Sequence, residues 1–371
     1  MKIASAASAF PKHYYSQKVL LERLQDYWGP QLKNPLLLAR LHRNVTVDGR
    51  YLAVPAEEYV DIKTWGQAND IWIRVAQELG ERALCLALHN AGLKPEDLGC
   101  LLFTTVTGVA SPSIDGMLIN RMGLPANIRR TPIFGLGCVA GAAGIARASD
   151  YVRAYPSKAA ALVSVELCSL TLQREDLSVA NLISSGLFAD GSAAVIVTGD
   201  EFESSQPENS GSEICATTTS GAAPKTSGPE ILATRSVFYP DTEDMMGWNI
   251  SEKGFRIILS TEVPNLIRKN LGGDVDAFLA DNGHQRSDVK SFVMHTGGPK
   301  VLDATADALG LHNGELDASW DCLRKVGNLS SASVLCVLED VMKNRRPAPG
   351  TLGLLAAMGP GFCSELLLLQ W

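Results

Sequence analysis

No run in this 371-residue chain approaches the ~20 consecutive apolar residues that a membrane-spanning helix needs. A basic excess is missing as well: 33 Lys and Arg face 40 Asp and Glu, a net charge of −7. That balance disfavours nucleic acid as a partner. It excludes little about small anionic ligands, which a few local cations can hold whatever the total. The eight cysteines (Cys85, Cys100, Cys138, Cys168, Cys215, Cys322, Cys336 and Cys363) contain no CxxC and no Cys/His pair at zinc-finger spacing. A disulfide framework and a structural zinc site are therefore not expected. Most of these thiols have apolar neighbours, as in RALCLAL and SVLCVLE, and read as small core residues. The N-terminal stretch MKIASAASAFPKHYYSQ lacks a continuous apolar segment, broken as it is by Pro11 and His13. It reads as a first strand and not as a signal peptide, which implies a cytoplasmic protein.

What is present is an alternation of helical and buried-strand patterns. Residues 17–45 read as helical behind a Ser16 cap, and 68–95 as a long helix with an apolar stripe through Val75, Leu79 and Leu88. Leu98–Val106, Ala159–Val165 and Ala193–Val197 read as buried strands, with an Ala-rich helix over Ala142–Tyr155. The Ser/Gly/Pro/Thr-rich stretch 202–228 reads as a surface loop or linker between halves divided as 1–220 and 221–371. Beyond it come a helix near Pro264–Asn270, a strand Ser291–Met294, helices Lys300–Leu309 and Ser330–Lys343, and strands Leu352–Ala357 and Ser364–Gln370. The pattern implies a layered α/β fold. No short repeat is visible.

The richest stretch is Ile133-Phe-Gly-Leu-Gly-Cys138-Val-Ala-Gly-Ala-Ala-Gly144. Glycines allow a tight strand-to-helix turn that presents Cys138 to a cavity, and a helix N-terminus favours a thiolate. The turn also leaves backbone N–H groups free for an oxyanion. Two other readings remain open here. Cys138 is equally a buried thiol filling a turn, and Gly135-x-Gly137-x-x-Ala140 with Glu166 downstream fits a loose dinucleotide fingerprint. Pro132 and the distance from the N-terminus weigh against the latter.

Further along, His295 ends a buried strand before Gly297-Gly298-Pro299-Lys300, and Gly327-Asn328-Leu-Ser330 opens an apolar helix. Taken with Cys138, these segments resemble the type III polyketide synthases, the chalcone and stilbene synthase family of the thiolase superfamily. GCVAGAAG resembles the family's nucleophile segment. Gly186-Leu-Phe188-Ala-Asp-Gly resembles the stretch carrying its gatekeeper Phe, HTGGPK its histidine turn and GNLSSASV its asparagine turn. MGPG resembles its C-terminal loop and includes Gly359 and Gly361, with Ala357 and Met358 replacing Gly-Phe. The likeness runs from about Val54 to Trp371.

The resemblance implies a five-layer αβαβα fold of two similar halves, a homodimer, and CoA thioesters as substrates with no metal, flavin or nicotinamide. It implies Cys138 as acyl acceptor, paired as thiolate with imidazolium His295. His295 and Asn328 would stabilise the enolate left when malonyl-CoA loses CO₂. Phe188 would separate the CoA tunnel from the cavity, and Arg50 and Lys300, with Gly297 and Gly298, would meet CoA. The small residues Thr107, Cys168, Thr171 and Ala142 would line room for an alkyl chain, with Trp248 redirecting it. The segments look most like bacterial synthases with long-chain acyl starters, which make alkylpyrones or alkylresorcinols. Glu166 and Ser330 persist from the aldol-cyclising pattern, but Val106 stands between them, which favours lactone closure. The rivals are a ketoacyl synthase III working with a carrier protein, a non-catalytic thiolase-fold subunit, and a dinucleotide-dependent oxidoreductase.

Overall fold

The computed structural model describes residues 1–34, 36–203, 215 and 228–371. The expected linker 202–228 and the boundary at 220/221 fall largely outside these residues. Among the described residues, no helix is long and apolar enough to cross a membrane.

The N-terminal half supplies strands β1 (Lys2–Ala9), β2 (His13–Ser16), β3 (Gly49–Leu52), β4 (Leu98–Thr105), β5 (Arg129–Phe134), β6 (Ala159–Leu167) and β7 (Asp190–Thr198). Its helices are α1 (Gln17–Trp28), α2 (Leu36–Asn44), α3 (Trp65–Ala91), α4 (Ile114–Met122), α5 (Ala140–Ala154) and α6 (Val179–Leu187). The C-terminal half adds β8 (Glu230–Phe238), β9 (Met246–Ser251), β10 (Gly254–Leu259), β11 (Val289–Met294), β12 (Leu352–Gly359) and β13 (Cys363–Gln370). Its helices are α7 (Val263–Asp281), α8 (Pro299–Leu309), α9 (Asp317–Val326) and α10 (Ser333–Asn344).

The main sheet has the order β11-β12-β13-β8-β1-β7-β6-β4-β5. Its two halves repeat one pattern. In the first, β4 and β6 are parallel and β7 and β1 follow antiparallel; in the second, β11 and β12 are parallel and β13 and β8 follow antiparallel. Among the described residues, the two half-sheets pair where β1 meets β8, at Lys2–Glu230 with backbone bonds from Ile3 to Pro229 and from Ile231 to Met1, so they meet at an edge. They fold toward each other over α5 and α10, which pack against strands of both. Among the described residues, three large apolar cores result, with two smaller clusters beside them. The central one joins Ile145 and Ala148 of α5 and Val334 and Leu338 of α10 to Leu162, Val195, Leu355 and Leu367. Helix α3 covers the outer face of the first half-sheet and α7 that of the second. The layers therefore run α3, half-sheet, α5 with α10, half-sheet, α7.

Local chemistry explains the elements. Ser16 accepts from the Val19 N–H at the start of α1, as its type and position imply. Thr64 and Gln67 form a reciprocal capping box at α3, and Gly92 ends that helix at φ 67°. Strands β6 and β7 are buried along their whole length, which is why AAALVSVEL and DGSAAVIVT are apolar without alternation. Two expectations need correction. The 17–45 helix is two helices, α1 and α2, separated around Pro30. Cys85 is not a free core thiol but is bridged to Cys215 across 130 residues, a proximity that linear spacing does not encode.

Candidate active site

The duplication places the chemistry. Helices α5 and α10 precede corresponding strands β6 and β12, and each begins at a turn that carries a candidate residue. At α5, Gly135 (φ 96°) and Gly137 (φ 55°) fold the chain back after β5, and Cys138 sits in the 3₁₀ turn Gly137–Val139 that leads into the helix. A side chain at Gly137 would meet Pro360 at 2.5 Å, so the C-terminal MGPG loop packs directly on this turn.

At α10, Asn328 is 1% exposed. Its Oδ1 accepts from the Ser330 N–H at 2.8 Å and from the Ser333 hydroxyl at 3.3 Å. With the oxygen thus committed, the amide Nδ2 hydrogens are turned to the cavity. Ser330 adopts φ 49°, a left-handed conformation that costs a non-glycine residue roughly 1–3 kcal/mol. Its hydroxyl takes the Cys138 Sγ–H at 3.5 Å. His295 follows β11, its backbone N–H held by the Ala356 carbonyl at 3.0 Å, and its Nδ1 has no partner.

Cys138, His295, Asn328, Ser330, Phe188, Trp248, Cys168 and Gly297 line one cavity of about 70 Å³. Burial pushes the Cys138 thiol up to about 12 and pulls His295 down to about 4. Both shifts favour the neutral form, because desolvation penalises charge. Desolvation thus works against the thiolate–imidazolium pair that the resemblance implies.

Glu166 is fully buried at the end of β6. It accepts from Ser331 Oγ, from the Val106 N–H at 3.1 Å and from Thr107 Oγ at 3.1 Å. Burial raises its carboxyl to about 7 despite these donors. Such a carboxylate is not placed to meet a ribose, which removes the support for a dinucleotide fingerprint. The expected Glu166–Ser330 relationship is also corrected: Ser331 serves Glu166 and Ser330 serves Cys138. Thr107 does not line the cavity but joins Glu166 and the Trp72 indole N–H. Ala142 lies in the central core.

A second cavity of about 140 Å³ adjoins the first, and Cys168, Phe188, Trp248 and Ile257 line both. Thr171 belongs to the second one, with Arg50 and Ser184. Arg50 is 4% exposed and donates from Nη1 to the Phe188 carbonyl at 2.9 Å. So buried, with Nη1 bonded to a backbone carbonyl, Arg50 does not match the contact with CoA that the resemblance implies. Lys300 is exposed in the first turn of α8, whose N-cap is Gly298 at φ 131°. Gly359 lies against the nucleophile turn and Gly361 turns the chain at φ 63°. Sequence reasoning missed Ser184, Ser331 and Ile257. The first two are ordinary hydroxyls in a helix or turn, and only tertiary placement distinguishes them.

The chamber is equipped for acyl transfer: a thiol that can accept an acyl group faces amide and imidazole donors that can hold a developing oxyanion. Fold and site together define a condensing enzyme of the thiolase fold. The descriptions "Chalcone and stilbene synthases, N-terminal domain" and "C-terminal domain" match residues 32–201 and 230–371. The 1,3,6,8-tetrahydroxynaphthalene synthase of Streptomyces peucetius subsp. caesius is 46% identical over 370 residues, covering 100% of this chain and 93% of that one. The phloroglucinol synthase of Pseudomonas fluorescens is 30% identical, covering 98% and 97%. The crystal structure of 1,3,6,8-tetrahydroxynaphthalene synthase from Streptomyces coelicolor superposes with a TM-score of 0.88 at 29% identity, covering 100% and 99%. The chain belongs to the chalcone and stilbene synthase family. It is a type III polyketide synthase, an acyltransferase that condenses malonyl-CoA iteratively.

Proposed function

We propose that this synthase uses malonyl-CoA as both starter and extender and closes the resulting chain to a polyhydroxylated aromatic ring. Cys138 is the nucleophile. Its proton passes to His295 as Sγ attacks the thioester carbonyl, and the CoA thiolate leaves with the acyl group on Cys138. A further malonyl-CoA then binds with its thioester oxygen between His295 and Asn328 Nδ2. Loss of CO₂ leaves an enolate on that oxygen, and its carbon attacks the Cys138 thioester. Sγ departs, the longer chain is on CoA, and return of the chain to Cys138 starts the next round.

The observation that carries the starter is the size of the chamber. The cavities next to Cys138, about 70 and 140 Å³, stand well below the roughly 300–1,000 Å³ typical of drug-sized ligand sites. A cleft of about 780 Å³ that shares Tyr59, Ser169 and Leu172 with the second is not lined by Cys138, His295 or Asn328. A short, malonyl-derived chain suits them better than a long alkyl group. The relatives named for tetrahydroxynaphthalene and phloroglucinol support the same choice.

A second reading, long-chain acyl starters closed to alkylpyrones or alkylresorcinols, is favoured by one feature. Val106, not a hydroxyl, stands on the cavity wall in front of Glu166, which suits lactone closure. Incubation with malonyl-CoA alone, and with acyl-CoAs of graded length plus malonyl-CoA, separates the two by product mass. Aromatic products from malonyl-CoA alone are expected. Alkylated lactones from long acyl-CoAs, with malonyl-CoA alone unproductive, would overturn the proposal.

A further inference from the structure

The cavity beyond Cys168 and Phe188 has a polar pole that the reaction steps above do not use. Arg50 lines it, and the Nε of its guanidinium has no hydrogen-bond partner. Ser184, from α6 on the same wall, has a buried hydroxyl that is likewise unpartnered. Neighbouring polar side chains are committed elsewhere: Asn181 to the Gln173 and Asp176 carbonyls, Thr171 to the Cys168 carbonyl, Ser169 to Asp190. Among the described residues, no carboxylate stands within ion-pairing distance of Arg50. The nearby Asp190 instead accepts from the Ala53 and Ser169 N–H groups and the Ser169 hydroxyl.

A buried cation without a paired anion is costly, so the site is poised for a ligand that brings one. Burial lowers Arg50 only to about 10, against the opposing charge of Asp190, so it remains a cation at neutral pH. The pole adjoins the nucleophile's cavity, since Cys168 and Phe188 line both the cavity that holds Arg50 and Ser184 and the one that Cys138 faces.

We infer that Arg50 Nε and Ser184 Oγ bind the free carboxylate of a malonyl starter held on Cys138, and so select malonyl-CoA over uncharged acyl-CoAs. The inference rests on malonyl priming as proposed above. Loading then exchanges one thioester for another: Cys138 Sγ bonds the malonyl carbonyl, CoA leaves as thiolate, and the distal carboxylate is retained.

The test compares Arg50→Gln, Arg50→Lys and Ser184→Ala with the unaltered enzyme on two reactions. One is malonyl-CoA alone; the other is hexanoyl-CoA with malonyl-CoA as extender. Intact mass of the acyl-enzyme reports what Cys138 carries. Malonyl-primed turnover should fall about tenfold or more in Arg50→Gln and several-fold in Ser184→Ala, as loss of a charge-assisted hydrogen bond implies. Hexanoyl-primed turnover should stay within about twofold in Ser184→Ala and fall less than malonyl-primed turnover in Arg50→Gln, which also loses the bond to the Phe188 carbonyl. Arg50→Lys should regain part of the malonyl-specific loss. Equal decline with both starters, or undiminished malonyl loading in Ser184→Ala and Arg50→Gln, would overturn the inference alone. If the unaltered enzyme loads hexanoyl but never malonyl groups, malonyl priming itself fails and the inference falls with it.

Discussion

Phe188 and Asn328 are joined by a backbone bridge across the two halves of the chain. The Asn328 N–H donates to the Leu187 carbonyl at 2.9 Å, and the Ala189 N–H donates to the Asn328 carbonyl at 2.9 Å. The bridge fixes the main chain of Asn328, while Ser330 and Ser333 fix its side-chain oxygen. The amide hydrogens therefore point one way before any substrate binds, which is the preorganisation that oxyanion stabilisation needs.

Asn328→Asp keeps the shape but replaces a donor with an acceptor. Decarboxylation of malonyl-CoA should fall about 10²- to 10³-fold, the usual effect of losing one oxyanion donor. Acylation of Cys138, followed by intact mass, should be much less affected. Equal loss in both steps would mean that Asn328 serves the fold and not the enolate.

The elevated Cys138 thiol predicts its reactivity. With its pKa near 12, the thiolate fraction at neutral pH is small in the free enzyme. Iodoacetamide alkylation should be slow near neutrality and rise roughly tenfold per pH unit across the alkaline range. A plateau near neutral pH would instead reveal a standing thiolate–imidazolium pair.

Much of this site was legible in the chain because each catalytic candidate lies in a turn whose composition is forced. Gly135 and Gly137 adopt positive φ, Gly298 caps α8, and Asn328 opens a helix, so the motifs record backbone geometry. What was not legible depends on proximity between distant segments. Ser330 and Ser331 are adjacent and chemically alike, yet one faces Cys138 and the other Glu166. The resemblance assigned Arg50 to CoA, but strand β3 carries it inward, where it is 4% exposed. The bridge of Cys85 to Cys215 likewise follows only from tertiary placement.

Stability should depend on pH through His42. It is 1% exposed, with Nδ1 unpartnered, and burial next to Arg50 lowers it to about 3 from 6.5. Below pH 6.5 the unfolded chain binds a proton that the folded one refuses, so stability falls as pH falls toward 3, by up to about 1.4 kcal/mol per unit. His295 adds to this between 6.5 and about 4. Glu166, raised from 4.5 to about 7, acts oppositely, losing stability as pH rises through that window. Urea unfolding of His42→Asn at several pH values isolates the first contribution. Relative to the unaltered protein, the variant should gain as pH drops below 6.5; a pH-independent difference would show that His42 is not the titrating group.

Gly359 tests whether the C-terminal loop positions the nucleophile. A Cβ there would meet the Leu136 carbonyl at 2.5 Å and the Val139 N–H nitrogen at 2.7 Å, the backbone on either side of Gly137 and Cys138. Neither contact is a flexible side-chain end, so the turn itself must shift. Gly359→Ala should therefore lower kcat by at least about tenfold, since misplacing a reacting group by about 1 Å can cost about 10²-fold. Iodoacetamide should also report the displaced Cys138 through a changed alkylation rate. Unfolding should remain cooperative, because Gly359 lies at the end of β12. The comparison is Gly273→Ala, where a Cβ meets nothing within 4 Å. Unchanged kcat in Gly359→Ala, or equal effects in the two variants, would show that the loop does not hold Cys138 in place.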